Sequence, residues 1–255
     1  MRFRPCIDLR NGKVVQIVGG TLSDSSDASV QTNFESSLSP ADYARMYQKD
    51  KLPGGHVIAL GPGNREAALE ALGAYPSGMQ YGGGVTAENA AEYLEAGASQ
   101  VIVTSYVFRE GRVDFERLEK LVAETGRDRL VLDLSCRARE GAYWVVTDRW
   151  QNFTETRVDA ETIAELGKYC CEFLVHGVDV EGRMSGIEED LVRLLGANCD
   201  LPMTYAGGAR SLEDLGRVES LGSGKVDLTI GSALDVFGGT VAYSDVVAWH
   251  KARNS

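Results

Sequence analysis

Cys6-Ile7-Asp8-Leu9 and, in the other half of the chain, Leu130-Val131-Leu132-Asp133-Leu134 are apolar runs that each carry one aspartate. Downstream of each lies a glycine cluster, Gly82-Gly83-Gly84 after the first and Ala206-Gly207-Gly208 after the second. Beyond each cluster a strand-like run ends in a small hydroxyl residue, Val-Ile-Val-Thr-Ser at 101–105 and Leu-Thr-Ile-Gly-Ser at 228–232. Corresponding landmarks stand about 125 residues apart, as Asp8 and Asp133 do, which is far beyond the ~20–50 residue period of a solenoid. A duplication of that length predicts a fused, twofold-symmetric fold and a ligand with two similar ends, one for each glycine cluster.

Composition agrees with one large unit. The chain has 255 residues and 44% apolar content, enough to fill a single core of α/β-barrel size. One domain over 1–255 is expected, with halves of approximately 1–125 and 126–255. The 26 basic and 37 acidic residues give a net charge of −11, which disfavours nonspecific attraction to nucleic acid or an anionic membrane. An anionic substrate would therefore need local backbone donors. Five cysteines (Cys6, Cys136, Cys170, Cys171, Cys199) show no Cys-x-x-Cys spacing and read as reduced thiols, not as disulfides or a zinc site. Met-Arg-Phe-Arg-Pro at the start enters a strand pattern without a signal-peptide or transit-peptide composition, and no apolar stretch approaches the ~18 residues of a membrane span. A cytoplasmic location is the resulting expectation.

Short apolar runs alternate with amphipathic stretches of helical length. Strands are predicted at 4–8, 55–60, 78–81, 100–104, 129–134, 172–177, 202–205 and 226–230, most of them too apolar to have a wet face, as in a parallel sheet covered by helices. Ser39-Pro40-Ala41-Asp42 reads as a capped helix start with Pro at the first helical position, Ser211-Leu212-Glu213-Asp214 as one with a capping-box pattern, and Asp159 as a further N-cap. An open doubly wound sheet and a closed (β/α)8 barrel both fit such alternation. Eight strands in two matching sets favour the single-domain (β/α)8 TIM barrel with a twofold internal repeat. Residues 10–36, with a small strand at 13–18, and 141–156 are excursions that would project from the C-terminal rim, where barrel active sites form.

At that rim Asp8 and Asp133 would face each other, and two carboxyl groups in different environments can divide into a base and an acid. The alternative is that each caps a loop or pairs with Arg10 or Arg137. Gly83 and Gly84 precede a helix expected at Thr86, and Gly207 and Gly208 precede one at Ser211; glycines there let backbone N–H groups approach an anion, or serve only a tight turn. Ser105 and Ser232 would add a hydroxyl to each pocket. His176 either holds a substrate phosphate or hydroxyl or satisfies a buried carbonyl. Trp150 either stacks on a heterocycle or packs at a loop base. His56 and His250 have no carboxylate or cysteine company at ligand spacing, so metal binding is not expected.

Taken in order, CIDLRNGKVVQIVGG (6–20), QYGGGVTAENA (80–90), VIVTSYVF (101–108), VLDLSCR (131–137), HGVDVEG (176–182), YAGGARSLEDL (205–215) and DLTIGSALDVFGG (227–239) resemble the phosphoribosylformimino-aminoimidazole carboxamide ribotide isomerases of histidine biosynthesis, in their fungal-type form. The likeness covers essentially the whole chain. It implies a (β/α)8 barrel that converts an aminoaldose to an aminoketose by an Amadori rearrangement, with no metal or cofactor, on a small ribotide carrying two phosphates. A monomer without nucleic-acid or membrane partners is expected. By position, the resemblance gives Asp8 the role of general base at C2′ and Asp133 that of general acid at the ring oxygen. It gives Gly83, Gly84, Thr104 and Ser105 one phosphate, and Gly207, Gly208, Gly231 and Ser232 the other. Gly20 and Trp150 match loop positions that close over the ligand.

The chain departs from the more widespread bacterial pattern at three places. His176-Gly177 replaces Thr-Asp at the end of strand six, Glu181-Gly182 replaces Asp-Gly, and Thr86 stands where Arg often follows the glycines. Two other readings stay open: the cyclase subunit of imidazole glycerol phosphate synthase, a lyase with a glutaminase partner, and a noncatalytic bisphosphate-binding barrel.

Overall fold

Pro5, which has no N–H to give to a ladder, splits the first barrel strand into two short pieces that pair with different neighbours. The computed structural model describes residues 1–18, 31–198 and 200–254. The two pieces are β1 (Phe3–Arg4) and β2 (Cys6–Arg10), and β2 runs on through an antiparallel hairpin into β3 (Lys13–Ile17) and β4 (Thr32–Glu35). The other barrel strands are β5 (Gly55–Ala59), β6 (Met79–Gly82), β7 (Val101–Val103), β10 (Leu130–Asp133), β14 (Glu172–His176), β15 (Met203–Ala206) and β16 (Val226–Thr229). Two small additions complete the set: the pair β8 (Phe108–Arg109) and β9 (Arg112–Val113), and the antiparallel sheet β11 (Cys136–Arg139), β12 (Ala142–Thr147) and β13 (Asn152–Arg157).

Neighbouring barrel strands are all parallel, in the order β1, β16, β15, β14, β10, β7, β6, β5, β2. Phe3 lies opposite Leu228 and Arg4 opposite Thr229, while Cys6 lies opposite His56 and Asp8 opposite Ile58. One strand therefore binds both ends of the sheet, and the barrel closes. All eight predicted strands are present. The predicted strand at 13–18 is β3, and the second excursion is the three-stranded sheet that begins at Cys136.

Among the described residues eight helices cover the outside: α1 (Pro40–Lys49), α2 (Arg65–Ala74), α3 (Ala90–Glu95), α4 (Phe115–Thr125), α5 (Ala160–Leu166), α6 (Glu189–Asn198), α7 (Glu213–Leu221) and α8 (Tyr243–Asn254). The Ser39 start of α1 with Pro40 at the first helical position and the Asp159 cap of α5 form as expected, and at Ser39 a reciprocal capping box with Asp42 is present as well. Two expected starts are corrected. Thr86 does not open a helix: Asn89 accepts from Thr86 N and donates to Gly84 O, which holds residues 86–89 in a turn and delays α3 to Ala90. Ser211 does not cap α7 with its side chain; Asp214 instead accepts from the backbone N–H groups of Arg210 and Ser211, and Leu212 is the N-cap.

Alternate residues along a strand share a face, so the inward side chains stack in layers. Arg4, Glu172, Thr204 and Asp227 form a polar floor; Ile58, Ile102, Val131, Leu174 and Ala206 form an apolar layer above it. Asp8, Thr104, Asp133 and His176 then fall at the rim, two residues further along their strands. In the floor, Arg4 Nε donates to Asp227 Oδ2 at 2.7 Å and Arg4 Nη2 lies 3.8 Å from Glu172 Oε2, with 5% of Arg4 exposed. Burial penalises the guanidinium charge, but Glu172 and Asp227 outweigh that and raise its pKa. Removing one member of a buried ionic set leaves the others uncompensated. Arg4→Ala is accordingly expected to destabilise the fold by about 3 kcal/mol in chemical denaturation; a loss under about 1 kcal/mol would show that the floor does not hold the closure together.

Candidate active site

The rim layer opens into a cavity of about 540 Å³ whose wall includes Asp8, Asp133, His176, Glu181 and both glycine turns. Asp8 is on the first of the eight barrel strands and Asp133 on the fifth, so they project from opposite sides of the ring into that one space. Asp133 ends β10, whereas β2 continues for two residues past Asp8 into the β3 hairpin. That hairpin matters because it brings Gln16 back over the barrel. Gln16 Nε2 donates to Asp8 Oδ2 at 3.1 Å, and its Oε1 accepts from Ser232 Oγ at 3.3 Å.

The two carboxyl groups sit in different surroundings. Burial, then the nearby carboxyl of Glu181, push Asp8 up to about 7, against the opposing pull of His176 and of the Gln16 hydrogen bond. Glu181, buried beside the same space, is raised by burial despite His176 and a backbone hydrogen bond from Gly182. Asp133 accepts from Thr104 Oγ1 at 3.2 Å and from Ser135 Oγ at 3.0 Å, and its Oδ1 lies 3.2 Å from His176 Nδ1. The alternative of a buried backbone carbonyl as the His176 partner is corrected: its partner is the Asp133 carboxyl group, and the ring lines the cavity. Arg137, considered as a partner for Asp133, bonds Asp179 instead.

The glycine turns repeat each other in backbone conformation. Gly83 and Gly84 have φ of +105° and +72°, and Gly207 and Gly208 have +124° and +73°. Successive residues in such conformations turn their N–H groups toward a common point, which suits an anion. A Cβ on Gly83 would meet Ala59 O at 2.3 Å and one on Gly207 would meet Gly177 O at 2.7 Å. The first pair sits after the third barrel strand and the second after the seventh, with Thr104 and Ser105 following the fourth and Gly231 and Ser232 the eighth. All eight line the cavity, and Thr104 also donates to Asp133. Ser105 Oγ also accepts from Asp148 N at 3.2 Å. Gly20 lies outside the described residues.

Trp150, like Leu60, packs against the buried pair Val15 and Ile17, and its ring centroid stands 6.1 Å from that of His176. It reaches the cavity from a turn in which Asp148, Arg149 and Trp150 all have left-handed φ of 51–66°, a conformation that costs an L-residue about 1–2 kcal/mol. Side chains not singled out from the sequence, Gln16, Ser135 and Arg149, also line the wall, as does His56, whose ring is 6.0 Å from that of His176. Burial, then the neighbouring His176, hold His56 down at about 3, so it faces the site uncharged.

Residues 2–241 match the family described as histidine biosynthesis protein. The chain belongs to that family. A relative from Medicago truncatula, named 1-(5-phosphoribosyl)-5-((5-phosphoribosylamino)methylideneamino)imidazole-4-carboxamide isomerase, chloroplastic, is 56% identical over 99% of this chain and 83% of its own length. Isomerases of the same name from Neurospora crassa and Saccharomyces cerevisiae are 52% and 46% identical, each over 99% of both chains. Among the described residues no helix is long and apolar enough to cross a membrane.

Two measurements test the site as built. Asp8 has its pKa raised on folding, so its ionised form opposes folding, and that penalty grows as pH rises from about 3.8 to about 7. Asp8→Asn should therefore leave stability near pH 4 unchanged and raise it at pH 8, by about 1–2 kcal/mol because the cavity is open to water; equal stability at both pH values would contradict the burial of a charge there. Inorganic sulfate should compete with substrate. Gly208→Ala, whose Cβ would meet Gly186 O at 2.1 Å, should lose that competition, while Gly84→Ala, with nothing within 4 Å of its Cβ, should keep most of it. Competition constants that fall equally in both variants would remove the steric basis of the second cradle.

Proposed function

We propose that this chain isomerises the aminoaldose ribotide named in its relatives to the corresponding aminoketose, by acid and base catalysis at the barrel rim. The observation that carries the proposal is the pair Asp8 and Asp133, set on opposite strands around one cavity and flanked on each side by a glycine turn of the same backbone form. Read as two half-barrels, approximately 1–125 and 126–255, each half contributes one carboxyl group and one anion cradle. A bisphosphate would span the cavity with its reacting ribose between the two acids.

In this proposal a proton delivered at the Asp133 end goes to the ring oxygen as the C1′–O4′ bond breaks, leaving a protonated imine at C1′. That cation acidifies the C2′ hydrogen, and Asp8 removes it to give an enolamine. Protonation at C1′ and loss of the O2′ proton complete the aminoketose. Asp8 suits the base role because a group that titrates near 7 is ionised over a useful fraction of time at neutral pH yet still binds a proton well. Gly83, Gly84, Thr104 and Ser105 would hold one phosphate and Gly207, Gly208, Gly231 and Ser232 the other, through backbone N–H groups and hydroxyls. Trp150 would cover the ligand between them.

The names of the relatives favour the isomerase over the cyclase. A cytoplasmic site of action remains part of the proposal, with the plastid as the competing compartment because the Medicago relative is named chloroplastic. The purified protein with the aminoaldose ribotide should yield the aminoketose, and Asp8→Asn should abolish turnover while ligand affinity stays within about tenfold, since only a proton-transfer group is lost. Wild-type turnover in Asp8→Asn would exclude Asp8 as the base.

A further inference from the structure

A proton donor that works at neutral pH needs a store of protons, and the side chains around Asp133 contain one. Both oxygens of Asp133 are engaged: Oδ2 accepts from Thr104, Oδ1 accepts from Ser135, and Oδ1 faces His176 Nδ1 at 3.2 Å. His176 ends β14, the strand next to β10 in the barrel, and its side chain is 11% exposed. Apart from Asp133 it has no hydrogen-bond partner among the described residues, and it borders the cavity. The imidazole is thus fixed against the carboxyl group at one nitrogen, a geometry in which one proton is shared between the two.

We propose that His176 and Asp133 form a proton-sharing couple, in which His176 is a positioning and proton-storing residue that acts through Asp133 on the ring oxygen of the substrate. The identity of that oxygen rests on the isomerase assignment above; the couple itself does not. The groups facing the imidazole are Asp133 from β10, Asp8 from β2, Glu181 from the turn after β14, His56 from β5 and Trp150 from the β12–β13 turn, and Arg149 of that turn lines the same cavity. Burial by itself pushes the imidazole down, but Asp133, then Glu181 and Asp8, outweigh it and hold His176 up at about 9. His56 is held near 3, so of the two neighbouring imidazoles only His176 carries the proton at neutral pH.

The protons balance through the cycle. One passes from His176 Nδ1 to Asp133 and on to O4′ as the C1′–O4′ bond breaks, which leaves a neutral imidazole beside a carboxylate. The enolamine returns a proton from O2′ to the couple as C2′ becomes a carbonyl, while the proton that Asp8 took from C2′ goes to C1′. O4′ and C1′ each gain one proton, C2′ and O2′ each lose one, and the couple ends as it began.

His176→Gln keeps a donor for Asp133 but stores no proton. Its kcat should fall at least ~10-fold at pH 8 with KM within ~3-fold, and the basic limb of the kcat profile, expected near pH 9 in the wild type, should move at least ~1 unit lower. An unchanged kcat and basic limb, or a rise in KM alone, overturns the proposal, since the first makes His176 structural and the second makes it a substrate ligand. Imidazole ¹⁵N NMR of the ligand-free protein gives a readout that needs no turnover. His176 should titrate near 9 in the wild type and at least ~1 unit lower in Asp133→Asn; a midpoint near ~6.5 in both proteins overturns the couple. A wild-type protein that leaves the ribotide unchanged would defeat the isomerase assignment instead, with the NMR result still decisive for the couple.

Discussion

The pairing of Phe3 and Arg4 with Leu228 and Thr229 is the contact on which the rest of the molecule depends. Eight parallel strands could lie in an open sheet, and Asp8 would then stand on an edge strand far from Asp133. Closure makes the first and fifth strands diametric, and the third and seventh as well. The same hydrogen bonds thereby set the distance between the two acids and place a glycine turn on either side of them. The Arg4, Asp227 and Glu172 set joins three inward side chains at the level of the seam.

Above that floor a single apolar layer, Ile58, Ile102, Val131, Leu174 and Ala206, separates the ionic floor from the ionisable rim. The rim groups therefore meet a low dielectric on one side and the cavity on the other. In that setting three carboxyl groups, Asp8, Asp133 and Glu181, share the neighbourhood of one chargeable imidazole, and desolvation makes every additional negative charge expensive. Asp8 and Glu181 are held above the usual carboxylate range as a result. In the proposed cradles an anion would meet backbone N–H groups at short range, where local geometry outweighs the distant field of the net charge of −11.

The sequence made the strand count and the rim aspartates readable because both are local patterns: an apolar run has a length, and alternation decides which side chain points inward. The cap at Ser39 was readable for the same reason. Gln16 was not, since its place depends on contacts beyond its own strand: the β2–β3 hairpin brings it to Asp8, 8 positions away, and the closed ring brings it to Ser232, 216 positions away. The helix expected at Thr86 failed because Asn89 offers the backbone a competing turn, an effect typical of short amide side chains. At Ser211 the capping sequence was present, but the Asp214 carboxyl alone took up the free N–H groups.

The most direct test of the account is a crystal structure of the protein with the aminoketose product bound. The account predicts one phosphate on the N–H groups of Gly83 and Gly84 beside Ser105, the other on Gly207 and Gly208 beside Ser232, and the C1′–C2′ bond between the carboxyl groups of Asp8 and Asp133. A product held by one phosphate only, or with those carbons outside hydrogen-bonding reach of both aspartates, would contradict it.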